Sequence, residues 1–259
     1  MAYETIQTSV GDDFVATITL NRPDQLNTFT TALANELNAA LLEADIDERV
    51  RVMVIRGAGK VFCAGIDVNK LFGQTPSQYR DWIETMERPF ETIAHLCKPV
   101  IAQVHGVAAA NGAGLVAACD LAVAADNARL GLTAIKVGLN CVGPVLPVSR
   151  SVGRKRSLEM LFYGDLIKAP QALEWGLVNR VVPAAELETA THAWAAELAT
   201  RSPVAVQNAK TAFYASEDMN YHQSFAYMNE AFARLCTAED AKEGVTAFFD
   251  KRRPNWQGK

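Results

Sequence analysis

Paired metal ligands are missing from this sequence. It has four histidines and five cysteines. His95, His105, His192 and His222 stand at no ligand spacing from one another. Cys63, Cys97, Cys119, Cys141 and Cys236 are odd in number, far apart and form no C-x-x-C pair. Zinc sites and disulfide frames need paired side chains, so neither is expected, and reduced thiols in the cytoplasm fit the pattern. Basic residues are in the minority, with 25 Lys and Arg against 29 Asp and Glu and a net charge of -4. Nucleic acid and anionic membrane are therefore not expected as main partners, since both call for clustered cations. No segment approaches about 18 uninterrupted apolar residues, which argues against a membrane span. The opening "MAYETIQTSVGDD" has no basic region followed by an apolar run, so no signal or transit peptide is expected.

Two further motifs fail on inspection. "GAGK" at Gly57 to Lys60 follows an apolar run like a phosphate loop, but Val54 and Val61 occupy the positions where that loop needs a glycine and a hydroxyl. No G-x-S-x-G elbow is present, so a serine nucleophile of that kind is absent.

What the chain does have is 259 residues, 49% of them hydrophobic, enough for one large core. "YETIQTSV" and "FVATITL" alternate and are rich in β-branched residues, which predicts a hairpin across "GDD". From Thr30 a helical pattern places Leu33, Leu37, Ala40, Leu41 and Ala44 on one face. "VRVMVI" reads as a strand, "PSQYRDWIETMERPFETIAHL" as a helix and "KPVIAQVHG" as a strand buried on both faces. A helix and a strand follow in "NGAGLVAACDLAVAADNARLGL", and the chain past Pro147 reads as nearly all helical. The aromatic and methionine positions of "YHQSFAYMNEAFARL" recur at helical spacing and read as core or subunit interface. Alternating strands and helices predict an α/β fold with a helical C-terminal part after about Val182.

Two glycine loops carry the chemistry. "FCAGID" (Phe62 to Asp67) and "HGVAAANGAGLVAACD" (His105 to Asp120) each follow a buried strand and precede a helical pattern. Backbone N–H groups at such places favour negative charge. Two aimed at one point make an oxyanion hole, worth about 2.7 to 4 kcal/mol of transition-state stabilisation per donor. Asp67 reads as a cap for the following helix.

The chain resembles the enoyl-CoA hydratase/isomerase family, the crotonase superfamily. The resemblance runs in order through "LNRPDQLNTF", "VIRGAGKVFCAGIDV", "KPVIAQVHGVAAANGAGLVAACDLAVAAD", "LEMLFYGDLIKAPQALEWGLVNRVVP" and "EGVTAFFDKRRPNW". It implies a spiral of ββα units over residues 1–195, binding CoA and the acyl group, and a C-terminal helical trimerisation region over 196–259. It also implies a homotrimer or dimer of trimers. The substrate is an acyl-CoA thioester, with no separate cofactor and no metal. The thioester oxygen is held by the backbone N–H groups of Ile66 and Asn111. The adenine end of CoA meets carbonyls around Ala64 and Ile66, with Phe248 and Lys251 completing the site from a neighbouring segment or subunit.

The sequence departs from the family at its acids. Hydratases use two glutamates, whose positions here are Gly114 and Ala134; a third acidic position used by some relatives falls near Val142. A positioned acid or base contributes about 100- to 10,000-fold. The usual hydration mechanism therefore lacks its proton carriers. Asn140 and Cys141 are the candidate polar substitutes, although buried cysteine more commonly acts as a small apolar residue. Glu84, Glu87 and Glu91 lie on the preceding helix and read as solvated. The chain is expected to stabilise a thioester enolate as an enoyl-CoA hydratase-like enzyme. Decarboxylation of a malonyl-type thioester, isomerisation and thioester hydrolysis are rival reactions, and non-catalytic CoA binding is the rival class.

Overall fold

The computed structural model describes residues 3–69 and 71–259. Met1 and Ala2, on which part of the leader expectation rests, lie outside them. The predicted hairpin is present: β1 (Ile6–Val10) pairs antiparallel with β2 (Val15–Leu20), Ile6 opposite Leu20. α1 (Thr31–Ile46) begins where the Thr30 hydroxyl accepts the Leu33 N–H at 3.2 Å, and it buries Leu33, Ala34, Leu37, Ala40 and Leu41. β3 (Val52–Gly57) lies parallel to β2. α2 (Pro76–His95) is started by a capping box in which Thr75 and Gln78 each satisfy the other's backbone.

From β4 (Val100–Val104) the chain repeats a unit. β4 enters a large sheet, β5 (Val107–Ala109) enters a small one, and α3 (Asn111–Ala118) follows. β6 (Leu121–Ala125) and β7 (Arg129–Gly131) repeat the step, followed by α4 (Val145–Val152) and α5 (Arg154–Tyr163). An isolated bridge between Cys63 and Ala108 brings the loop after β3 to the edge of the small sheet. This is the expected α/β spiral of ββα units. The large sheet runs β1-β2-β3-β4-β6-β9 and the small one β5-β7-β8. β3, β4 and β6 are apolar along most of their length because α7 (Leu187–Ala199) covers one face and the spiral covers the other.

The stretch beyond Pro147 differs from its nearly all-helical expectation. β8 (Ile167–Lys168) pairs with β7, and β9 (Arg180–Val182), after α6 (Ala169–Trp175), closes the edge of the large sheet. Strands of two or three residues carry no readable period. Pairing with an existing edge holds them, helped by Asn179, whose side chain accepts the Ala122 N–H at 2.8 Å.

α7 runs across residues 195 and 196, so the helical C-terminal part starts with an element of the core. α8 (Pro203–Glu217), α9 (Tyr221–Leu235) and α10 (Glu239–Phe249) follow. α8 is pinned by Lys210, whose ammonium donates to Asp120 at 2.7 Å and to the Lys98 carbonyl at 2.9 Å. The Tyr214 hydroxyl and the Val100 N–H also reach Asp120. Burial, and then the Asp120 charge, push the Tyr214 hydroxyl far above its ordinary pKa. α9 buries none of its side chains within the chain and exposes Tyr221, Phe225 and Phe232.

Candidate active site

The first loop is held by a residue the sequence reading passed over. Asn27 is fully buried with φ of 54°, a conformation asparagine tolerates better than most side chains. Its Oδ1 accepts the Arg22 N–H, and its Nδ2 donates to the carbonyls of Ala58, Val61 and Phe62 at 2.8, 2.9 and 3.2 Å. The segment after it then pairs with the loop. Phe29 donates to the Gly65 carbonyl at 2.7 Å, and Asp67 donates to the Phe29 carbonyl at 2.9 Å. In such a pairing alternate peptides face opposite sides. The N–H of Ile66, between those two, faces away from Phe29 and has no backbone acceptor among the described residues.

The second loop makes its donor by a backbone break. Ala109 donates to the Cys63 carbonyl and Ala110 to the Gly131 carbonyl, continuing the small sheet. Ala110 then takes φ 49° and ψ -114°, and α3 starts at the next residue. That conformation costs a non-glycine residue about 1–3 kcal/mol and occurs mainly where surrounding structure imposes it. The first helical bond runs from the Gly114 N–H to the Ala110 carbonyl. Asn111, Gly112 and Ala113 therefore present the free N–H groups of a helix N-terminus.

The two loops touch. A methyl group on Gly112 would stand 2.3 Å from the Cys63 carbonyl oxygen, and one on Gly65 would stand 3.0 Å from the Ala110 Cβ. Ile66 and Asn111 each follow one member of the Gly65–Ala110 pair, so their free amides lie on the two segments that interlock.

The first acid position is closed as well as vacant. A Cβ on Gly114 would lie 2.8 Å from the Pro144 Cβ, 2.9 Å from its Cα and 3.2 Å from the Phe90 ring. A glutamate there has no room for its first carbon. At the second position, the buried Cys141 sulfur takes a backbone hydrogen bond from Ala134. Burial nevertheless raises the thiol above its ordinary pKa, which keeps it protonated and a poor nucleophile. Asn140 and Val142 are exposed. Glu84 and Glu91 are exposed as expected, whereas Glu87 is half-buried against Gly143. Glu87 has no hydrogen-bond or ion-pair partner among the described residues, and burial raises its pKa. It lines a cavity of about 1200 Å³ between α2, α4 and α8, which neither Ile66 nor Asn111 reaches.

Asp67 does not cap a helix. Its Oδ1 accepts the Asn69 N–H at 3.1 Å and its Oδ2 meets Arg22 at 3.5 Å, because the chain makes a local turn here and α2 starts only at Pro76. The backbone N–H of Asn69 holds its carboxyl below the usual range, with Arg22 adding to this. The Ala64 and Ile66 carbonyls accept no backbone bond outside regular elements from the described residues. Phe248 is 78% exposed and Lys251 is also exposed, both at the end of α10, which packs on α8. Neither hydrogen-bonds to the first loop within this chain. No three His, Cys, Asp or Glu side chains among the described residues gather as metal ligands, and no described helix is long and apolar enough to cross a membrane.

A spiral of ββα turns, with two free amides on two loops that touch, defines the fold and the candidate site. Comparison with known proteins agrees: the family model described as "Enoyl-CoA hydratase/isomerase" matches residues 11–259. The chain belongs to this family. It is 34% identical over 245 residues to rat "Enoyl-CoA hydratase domain-containing protein 3, mitochondrial", covering 94% of this chain and 82% of that one. It is 33% identical over 259 residues to "Probable enoyl-CoA hydratase echA8" of Mycobacterium tuberculosis, covering 99% of both. A crystal structure of enoyl-CoA hydratase from Mycobacterium smegmatis superposes with a TM-score of 0.94 at 36% identity, covering 98% of this chain and 99% of that one.

Proposed function

We propose that the chain binds an acyl-CoA thioester and stabilises its enolate between the N–H groups of Ile66 and Asn111, with CoA as part of the substrate and no resident cofactor. The observation that carries this is the pair of amides freed by the Phe29–Ile66 bridge and by the break at Ala110, held together by the glycine interlock. Two such donors aimed at a developing oxyanion are worth about 2.7 to 4 kcal/mol each. The packing of Pro144 and Phe90 at Gly114, with no acid at Ala134, disfavours hydration by two glutamates. Reactions that form the enolate without a base, loss of CO2 from a malonyl-type thioester first among them, fit this site better than proton abstraction. Isomerisation or thioester hydrolysis needs a proton carrier from elsewhere, and the protonated Cys141 thiol is the polar group beside Ala134.

The unpaired carbonyl edge at the half-buried Ala64 and Ile66 is the proposed seat of the adenine. Phe248 and Lys251 reach it from a second copy of the chain, and the bare face of α9 is where copies meet in a trimer or a dimer of trimers. The exposed free thiols of Cys97 and Cys236 suit the cytoplasm, though the rat relative is named mitochondrial.

The test is incubation with crotonyl-CoA, butyryl-CoA and methylmalonyl-CoA in deuterated water, followed by mass spectrometry of the thioesters. CO2 loss or α-deuteration that disappears in Gly112→Pro supports the reading. Tight CoA binding with no turnover of any of the three would favour a non-catalytic CoA-binding protein.

A further inference from the structure

Asn111 is 2% exposed, and its Nδ2 is the one buried side-chain nitrogen or oxygen left without a hydrogen-bond partner among the described residues. Buried amides are otherwise matched in this chain, as Asn27 shows with three carbonyls. An unpaired buried N–H costs a folded protein about 1–3 kcal/mol, whereas an apolar side chain of similar size would avoid that cost.

The orphan belongs to the residue that also carries one of the free loop amides. Asn111 is the first residue of α3. Side chains on a helix lean toward its N-terminus, so the amide lies toward the end that bears the free N–H groups. Asn111 also shares a face with Gly114, three residues on, where Pro144 and Phe90 pack. Backbone and side chain of one residue thus offer two donors to one ligand, with no carboxylate at either family acid position to compete. Resting on the reading of the site given above, we propose that the Asn111 side-chain amide is a specificity donor. It hydrogen-bonds a carboxylate carried on the α-carbon of the acyl group, so that the site selects malonyl-type thioesters over plain alkanoyl ones. The thioester oxygen sits in the hole and the carboxylate, whose carbon is two bonds from the thioester carbonyl carbon, meets the amide. The remaining free N–H groups of the helix end favour its charge.

A site built around a buried donor rejects an analogue that cannot pair it. The experiment is calorimetric titration of the full chain with CoA, butyryl-CoA and methylmalonyl-CoA, at a temperature and over a time in which mass spectrometry shows the thioester still uncleaved and undecarboxylated. It is repeated for Asn111→Leu and, as a smaller replacement, Asn111→Ala, each with a melting curve. The wild type is expected to bind methylmalonyl-CoA about 10- to 100-fold more tightly than butyryl-CoA. Both variants should bring that ratio close to one, with Asn111→Leu melting no lower than wild type. A wild-type ratio near one overturns the inference and leaves the CoA site standing. So does a substitution that weakens both thioesters equally, which would make the amide a further donor to the thioester oxygen. A lowered melting temperature with the ratio intact would make Asn111 structural, again against the inference. If neither CoA nor any thioester binds, the reading of the site itself fails.

Discussion

Replacing Gly112 by alanine tests the geometry on which the proposed oxyanion hole depends. The new methyl group would lie 2.3 Å from the Cys63 carbonyl oxygen and 3.0 Å from both the Cys63 carbonyl carbon and its Cβ. Even a close C–H···O contact needs about 3.3 Å, so one loop must retreat by about 1 Å. Neither can do so by turning a side chain, because the obstacle is backbone that also accepts the Ala109 N–H. Overpacking of this kind costs about 1–3 kcal/mol. In a domain of this size that is a fall of about 2–10 °C in melting temperature. The larger consequence is functional, since Asn111 is the neighbouring residue and its N–H moves with the loop. A displacement of about 1 Å at a catalytic group can cost about 100-fold in rate. The readouts are a thermal melt and the rate of CO2 loss or α-deuterium exchange on whichever thioester the wild type turns over. An alanine variant that melts with the wild type and keeps its rate would refute the interlock, and with it the argument that the Ile66 and Asn111 amides share one point.

Lys210→Met should remove about 3–5 kcal/mol of stability by leaving Asp120 buried without its cation; a melting temperature within about 2 °C of wild type would contradict this. Asn27→Ala should cost about 2–3 kcal/mol, because the Ala58, Val61 and Phe62 carbonyls lose their donor. It should also weaken thioester binding through the loop that carries Ile66, and unchanged denaturation and binding would count against it. Glu87 gives a pH signature: burial raises its folded pKa above the unfolded value, so the folded state binds its proton more tightly. Stability is then lost as pH rises from the ordinary carboxylate value through the folded pKa. Glu87→Gln should melt higher than wild type at neutral pH, with the difference closing below about pH 4. A difference that is the same at both pH values would mean that the carboxylate's ionisation is not involved.

Elements with a long period were legible in the sequence. The hairpin, α1 with its Thr30 cap and the buried β4 lie where apolar spacing places them, because their own side chains make the core contacts. β8 and β9 were not legible, since a two- or three-residue strand is defined by the edge it joins. Within the site, the two glycine loops were visible as composition, but the devices that orient them were not. Asn27 in "PDQLN" carried a usable signal, an asparagine among turn-forming residues. Ala110 carried none, because alanine does not advertise a positive φ, and only the packing around it imposes one. Asp67 misled because a capping residue and a local turn residue look alike until the start of the next helix is known.

The missing acid at Gly114 is more than a side chain deleted from an otherwise intact hydratase site. If it were that, the space for a glutamate would remain and the neighbours would be polar. Instead the Pro144 ring and the edge of Phe90 stand where its Cβ would be, and both belong to segments distant in sequence. Three elements, α3, α2 and the loop before α4, therefore meet as an apolar wall at Gly114. Three residues before it the chain carries a buried amide that an apolar side chain could replace at a gain in stability. A crowded Gly114 beside an unpaired donor on Asn111 is what the proposed ligand, one that brings its own acceptor, requires.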